Sequence, residues 1–380
     1  MEQGDLAHDV AVTAKGTAMK DLVVSADSHV VEPYDLWVNA LGRKYGDRVP
    51  HLMGEHQGRK GNYFFAGREV CLVEELVNAT DQARIDELVR AGHDPAFRLK
   101  LIDADGVAVE IVNPTWTLYA MRIVDGEIRR ASCRVFNDWL IEYCSENRRR
   151  LLGVGAIPID DVAWGVEELE RIAARGLRGA MVATQPPDGA PPYRDRAYDR
   201  FWAAAEALDL PITLHIVTGR VRDPFTYHGD EERGEVPASF IELFNEAGPV
   251  LASDFVFGRI FDRHPRLRIV LSEYDASWLP ILAYRLKRIE GFPGMPRLAK
   301  PARAYLRENL WAGIIKDPLA ARMRHDIGVD RIMWGSDFPH PPCTYPKTGE
   351  ILDRILAGVP AEERHQIVAG NVMRLYDIAP

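Results

Sequence analysis

Eight short apolar runs punctuate this 380-residue chain, at roughly 22–27, 107–113, 152–158, 178–184, 211–216, 268–273, 310–314 and 331–336. Most are separated by amphipathic stretches, among them 128–148, 162–175, 195–208, 277–290 and 316–328. Each stretch repeats its apolar side chains at the three-and-four spacing of one helix face. Strand and helix alternating eight times predict parallel strands joined by helical crossovers, a (β/α)8 TIM barrel with insertions. An open doubly wound sheet would carry a glycine-rich phosphate turn after its first strand. Here that strand ends instead in Asp27-Ser28-His29. No fixed period of self-similarity is present, which excludes repeat architectures.

Two segments exceed a minimal barrel. Residues 37–95 are long, polar and mixed, and are expected to form an insertion with short strands at 62–66 and 69–73, a lid over the strand ends. Residues 218–250 are expected to make a second long loop, rich in Arg, Asp and Gly, on the same side. Long loops at that end of a barrel commonly carry function. Residues 1–20 read as a loose leader, residues 21–380 as one domain, and the chain beyond 345 as helices.

The formal charge of −9 disfavours nucleic acid and anionic membrane as partners. No apolar run approaches the roughly 18 residues a membrane helix needs, and the start lacks the pattern of a signal peptide. Four scattered cysteines without a CxxC pair fit reduced thiols in a cytoplasmic protein.

The chemistry is concentrated at the downstream ends of the apolar runs. Asp27 and His29 close the first, His215 the fifth, Glu273 the sixth, and Asp337-Phe-Pro-His340 follows the eighth. Barrel enzymes place their reacting groups at the carboxyl ends of strands. Side chains two apart on a strand point the same way, so Asp27 and His29 can reach one ion together. Singly, each has an ordinary reading: a strand-end Asp as a helix cap, a strand His as a satisfied core residue. Together, Asp27, His29, His215 and Asp337 are expected to converge as metal ligands. A carboxylate- and imidazole-rich set without thiolate suits Zn²⁺, Mn²⁺ or Fe²⁺. Such an ion polarises a substrate carbonyl or carboxylate and acidifies bound water. Asp337 is the expected general base or proton shuttle, with Glu273 beside it.

Over about residues 21–378 the chain resembles the amidohydrolase superfamily, in its branch with the aminocarboxymuconate-semialdehyde and γ-resorcylate decarboxylases. The likeness rests on Ser25-Ala-Asp-Ser-His-Val-Val-Glu-Pro33, Phe136-Asn-Asp-Trp-Leu140 and Arg150-Leu-Leu-Gly-Val-Gly-Ala-Ile-Pro158. It continues through Gly258-Arg-Ile-Phe-Asp-Arg-His-Pro-Arg-Leu-Arg268, Gly335-Ser-Asp-Phe-Pro-His340 and Asn371-Val-Met-Arg-Leu-Tyr376. The resemblance implies the same barrel, ligands at Asp27, His29, His215 and Asp337, and a homodimer. Two departures matter. Glu273 stands where the decarboxylases usually have a histidine that handles the proton. Arg178-Gly-Ala-Met-Val-Ala-Thr184 has no lysine for a carbamate-bridged pair of ions.

Glu32, Glu273 and His340 are three further candidate ligands, giving four carboxylates and three imidazoles in all. That inventory accommodates one ion or two, and a few members of the superfamily with such sets are dinuclear iron or iron–manganese oxygenases. Trp116, Trp37 and Arg220 are candidate substrate contacts, with Arg222 and Tyr345 beside them. The expected function is a metal-dependent lyase or hydrolase of a small organic acid or carbonyl compound, decarboxylase-like in character. The alternatives are a dinuclear monooxygenase and a non-catalytic partner subunit.

Overall fold

The computed structural model describes residues 22–73, 82–219, 236–340 and 343–379. Eight parallel strands form one nearly closed sheet. In chain order they are β1 (Val24–His29), β5 (Val109–Asn113), β6 (Leu151–Ala156), β7 (Gly179–Val182), β8 (Ile212–His215), β9 (Ile269–Ser272), β10 (Leu310–Ile314) and β11 (Ile332–Trp334). These are the eight expected runs, each shortened or shifted by a few residues. Nearly every residue on them is buried, because helices cover one face and the barrel interior the other.

The helices begin where aspartates stop the chain from straying. Asp94, Asp125, Asp161 and Asp317 each accept hydrogen bonds from the first turn of the following helix. Pro95 and Pro318 sit at first helical positions, where no amide donor is missed. At the far end Asn371 donates to the carbonyls of Val329 and Ile332, both at 2.7 Å, and so ties the last helix to the start of β11.

The inserted segment forms a three-stranded antiparallel sheet, β2 (His51–His56), β3 (Arg59–Ala66) and β4 (Glu69–Leu72). The last two were legible in the sequence; β2 was not, because His51-Leu-Met-Gly-Glu-His56 is half polar on both faces. Helices Leu36–Tyr45 and Gln82–His93 flank the sheet. The loop expected over 218–250 is corrected from residue 236 onward. Val236–Asn245 and Ala247–Val250 are helical, since Val236-Pro-Ala-Ser-Phe-Ile-Glu-Leu-Phe-Asn245 keeps a helical apolar period. The leader at 1–20, Arg220 and Arg222 lie outside the described residues. Among the described residues no helix is long and apolar enough to cross a membrane.

Barrel closure is the feature that builds the site. β1 and β11 meet without a shared ladder. They are joined by His29 N–H to Phe338 O at 2.7 Å, Asp337 N–H to Asp27 O at 2.8 Å, and Ser336 N–H to Ser25 Oγ at 2.8 Å. A side chain at Gly335 would place its Cβ 2.6 Å from that of Asp27, so only glycine lets this strand end approach β1.

Candidate metal centre

Asp27, His29, His215, Glu273, Asp337 and His340 converge at the carboxyl ends of β1, β8, β9 and β11. Nε2 of His29 lies 3.4 Å from Asp27 Oδ1 and 3.4 Å from Asp337 Oδ1. Nε2 of His215 lies 3.3 Å from that of His29, 3.7 Å from Asp27 Oδ1 and 3.8 Å from Glu273 Oε2. Ligand atoms within 4.8 Å of one another form two groups that share His29: Asp27, His29 and His215, and His29, Glu273, Asp337 and His340. Glu273 and Asp337 are held at φ of +68° and +57°, and Val217 beyond His215 at +77°. Positive φ at three non-glycine residues just past strand ends is strain concentrated at the site.

Hydrogen bonding fixes the imidazoles. His29 Nδ1 is 2.6 Å from Pro114 O and His215 Nδ1 is 3.0 Å from Ile216 O. Each therefore donates to a carbonyl and turns a bare Nε2 toward the other. These two lone pairs, 3.3 Å apart and ringed by carboxylates, are placed to face one cation together. Oδ2 of both Asp27 and Asp337 is buried with no hydrogen-bond partner. These orphaned acceptors and the nitrogen–oxygen donor set fit a divalent ion.

His340 is set differently. The Thr115 hydroxyl donates to Val30 O at 2.6 Å, so it accepts from His340 Nε2, 2.8 Å away. The remaining Nδ1 is bare and faces Asp337 Oδ1 at 3.0 Å. A proton between them belongs to Asp337: burial pushes its carboxyl up to about 7. Burial, then the charge of His215, holds His340 down at about 3. Burial, then His340, lowers His29 to about 4. Burial opposes ionisation of Asp27, but His215 and His29, whenever they carry a proton on Nε2, outweigh it and keep that carboxyl well below the usual range. Burial likewise disfavours the charged form of His215, yet Asp27 raises it above an ordinary histidine. The pull that raises His215 is a demand for positive charge.

That electrostatic balance gives a pH dependence. An entering ion must displace the proton of Asp337, and any on His215, whereas His29 and His340 stay neutral down to about pH 4 and 3. Metal affinity is expected to rise with pH and flatten above about 7, falling roughly tenfold per unit below that for each proton displaced. Calorimetric titration with Zn²⁺ or Mn²⁺ in buffers of different ionisation enthalpy measures the protons released at pH 6. A value of zero rejects this account.

Two sequence expectations change, those for Glu32 and Trp37. Glu32 is not placed to bind an ion: its carboxylate accepts from the amides of Thr115, Trp116 and Thr117 and from the Thr117 hydroxyl, at 2.7–3.2 Å. It is an anchor for the chain after β5. Trp37 is fully buried, its indole N–H donating to Ser132 O at 3.0 Å and its ring against Phe64, which removes it from substrate contact. Trp116 is 2% exposed and packs on Phe64, but it borders a small cavity with Thr115 and His340.

Other contributors were not foreseen. Asn113 donates to Asp27 Oδ1 at 2.8 Å, and hydroxyls of Thr184 and Thr218 hold the His215 carbonyl at 3.1 and 2.7 Å. Asn113 ends a strand just as His29 and His215 do, and the same positional rule identifies it. The threonines have no sequence signal of their own.

A cavity of about 360 Å³ opens at the same end of the barrel, lined by Met121, Arg122, Ile159, Ala183, Tyr193 and Thr218 among others. A larger one, about 720 Å³, lies in the outer helix layer at Tyr284, Arg303 and Arg307, and holds none of the clustered ligand residues. The 360 Å³ cavity is not lined by those residues either, although Thr218, which holds the His215 carbonyl, lies on its wall.

The chain aligns with γ-resorcylate decarboxylase of Rhizobium sp. (strain MTP-10005), 30% identical over 257 residues, 64% of this chain and 76% of that one. Its fold is similar to that of a crystallised amidohydrolase from Mycobacterium avium subsp. paratuberculosis K-10, with TM-score 0.73 and 20% identity over 94% of this chain and 98% of the other. It is also similar to a dihydroxybenzoic acid decarboxylase from Polaromonas sp. JS666, solved with bound manganese and an inhibitor. There the TM-score is 0.67 and the identity 20%, over 94% of this chain and 97% of that one. The amidohydrolase family model matches residues 34–378. On that match the chain belongs to the amidohydrolase family and is a metal-dependent enzyme.

Proposed function

We propose that the protein is a lyase that decarboxylates a small aromatic acid at a single divalent ion, Mn²⁺ or Zn²⁺, held by Asp27, His29, His215 and Asp337. The observation that carries this reading is Asp337: a buried carboxyl within the ligand cluster whose affinity for a proton is raised by burial to near neutrality, 3.0 Å from Nδ1 of His340. Relatives named as decarboxylases of aromatic acids support the class.

When bound, the ion supplies Lewis-acid stabilisation of negative charge on the substrate. The chain supplies the proton. As the bond between the ring carbon and its carboxylate breaks, the electron pair stays on carbon and CO₂ leaves; the Asp337 carboxyl, having regained from solvent as the substrate binds the proton that ion binding displaced, delivers it to that carbon. His340, fixed through Thr115 to Val30 O, keeps the carboxyl oriented and accepts no proton itself until strongly acid pH. Asp337 is then reprotonated from solvent. Manganese-loaded protein given 2,6-dihydroxybenzoate or 5-carboxyvanillate is expected to release CO₂ stoichiometrically and without O₂. Turnover that consumes O₂ instead rejects the proposal.

One observation favours a second reading, a two-ion oxygenase: the overlapping groups at His29 offer two ion positions, with Glu273 and His340 in the second. Glu273→Gln separates the two. Unchanged metal content with at least tenfold slower turnover is expected of a one-ion lyase in which Glu273 assists proton movement. Loss of one of two ions, by elemental analysis, establishes the two-ion site. No change in either removes Glu273 from the site.

A further inference from the structure

We infer that the buried Arg98–Glu110 pair is a positioning device for the metal ligands, acting across the seam where the barrel closes. Arg98 comes from the helix Pro95–Asp105 and Glu110 from β5, and both side chains are fully buried. Both side chains are at 0% exposure, against 6% and 16% for the Arg129–Asp160 pair.

The guanidinium reaches three chain segments at once. It donates to Glu110 through Nε at 2.5 Å and Nη2 at 3.1 Å. Nη1 donates to the carbonyl of His29 at 2.6 Å, and Nη2 to that of Phe338 at 3.2 Å. One of those carbonyls belongs to a proposed ligand, and the other follows Asp337 directly. The phenyl ring of Phe338 lies 4.9 Å from the guanidinium. Because β1 and β11 share no ladder, the two ligand-bearing ends are held in register by three backbone-amide bonds, by the hydroxyl bonds of Ser25 and Ser28 to Ser336, and by this fork. Glu110 lies opposite Ser25 in the neighbouring parallel pair, so the fork is referenced to a laddered part of the barrel.

Stability alone is a poor reason for such a pair, since burying both charges costs about as much as their attraction returns. Geometry is a better one. A planar guanidinium fixes several acceptors in set directions, as an ammonium cannot. Ligands must be held to within about 0.5 Å for an ion to be bound well.

The inference rests on the metal-centre reading, and the test keeps the two apart. Arg98→Met combined with Glu110→Leu removes both charges together and leaves no lone buried ion. The folded double variant is expected to bind Mn²⁺ or Zn²⁺ roughly 10–100-fold more weakly, as loss of an outer partner does. Deuterium uptake should rise at residues 24–30 and 334–340 and stay low in β7 and β8. Wild-type affinity with wild-type seam protection, or uptake raised evenly through the barrel, overturns it. If the double variant does not fold, Arg98→Lys is read by the same two measurements. If the wild-type protein binds neither ion, the metal reading fails, while the exchange pattern still decides whether Arg98 holds the seam.

Discussion

Asp337→Asn will lower turnover by on the order of 10²–10⁴-fold at saturating metal, the range expected when a positioned proton donor is removed. The substitution is nearly isosteric, and the backbone tolerates it: Asp337 sits at φ +57°, a conformation asparagine adopts more readily than most residues. The amide can donate to the bare Nδ1 of His340, 3.0 Å from Oδ1, so the imidazole and its bond to Thr115 persist. The titratable proton is lost, together with one anionic ligand. Metal affinity falls too, which is why turnover must be compared at saturating Mn²⁺. Steady-state kinetics and a thermal melt decide the matter. A folded Asn variant retaining more than a tenth of wild-type turnover would remove Asp337 from the proton-transfer role.

His215→Ala is the second large effect, and it falls on the ion. Nε2 of His215 faces His29, Asp27 and Glu273, so its removal opens one side of the coordination sphere. The loss in metal affinity should exceed the roughly 10–100-fold typical of an outer partner. Activity should fall with it. The strand end should survive, because Thr184 and Thr218 hold the His215 backbone carbonyl, not its ring. Elemental analysis of purified protein, with circular dichroism, is the measurement. Added Mn²⁺ should raise the melting temperature of the wild type and leave that of the variant unchanged. Full metal content in the variant would exclude His215 as a ligand. Wholesale unfolding would make it a structural histidine.

Much of this was legible in the sequence because a parallel barrel repeats one unit with one polarity. The eight apolar runs declare themselves, and a rule about strand ends then locates Asp27, His29, His215, Glu273 and Asp337 without further information. The same rule misled for Glu32, three residues past His29: a carboxylate near a cluster need not face it, and three amides at the start of the chain after β5 claim this one. Trp37 shows the matching limit for aromatics, since burial beneath the inserted sheet depends on contacts far along the chain. Arg98 had no signal at all. It is one arginine on an unremarkable helix, and its partners His29, Glu110 and Phe338 are brought together only by closure of the barrel.

That closure also dictates when the centre can exist. Asp27 and His29 leave the ribosome well before Asp337 and His340. Through most of synthesis the nascent protein offers an imidazole and a carboxylate with no opposite wall. The complete ligand set appears only after β11 has docked against Gly335's neighbour Asp27. Binding of an ion by the complete set therefore waits for β11, and a polypeptide interrupted before residue 332 lacks that set.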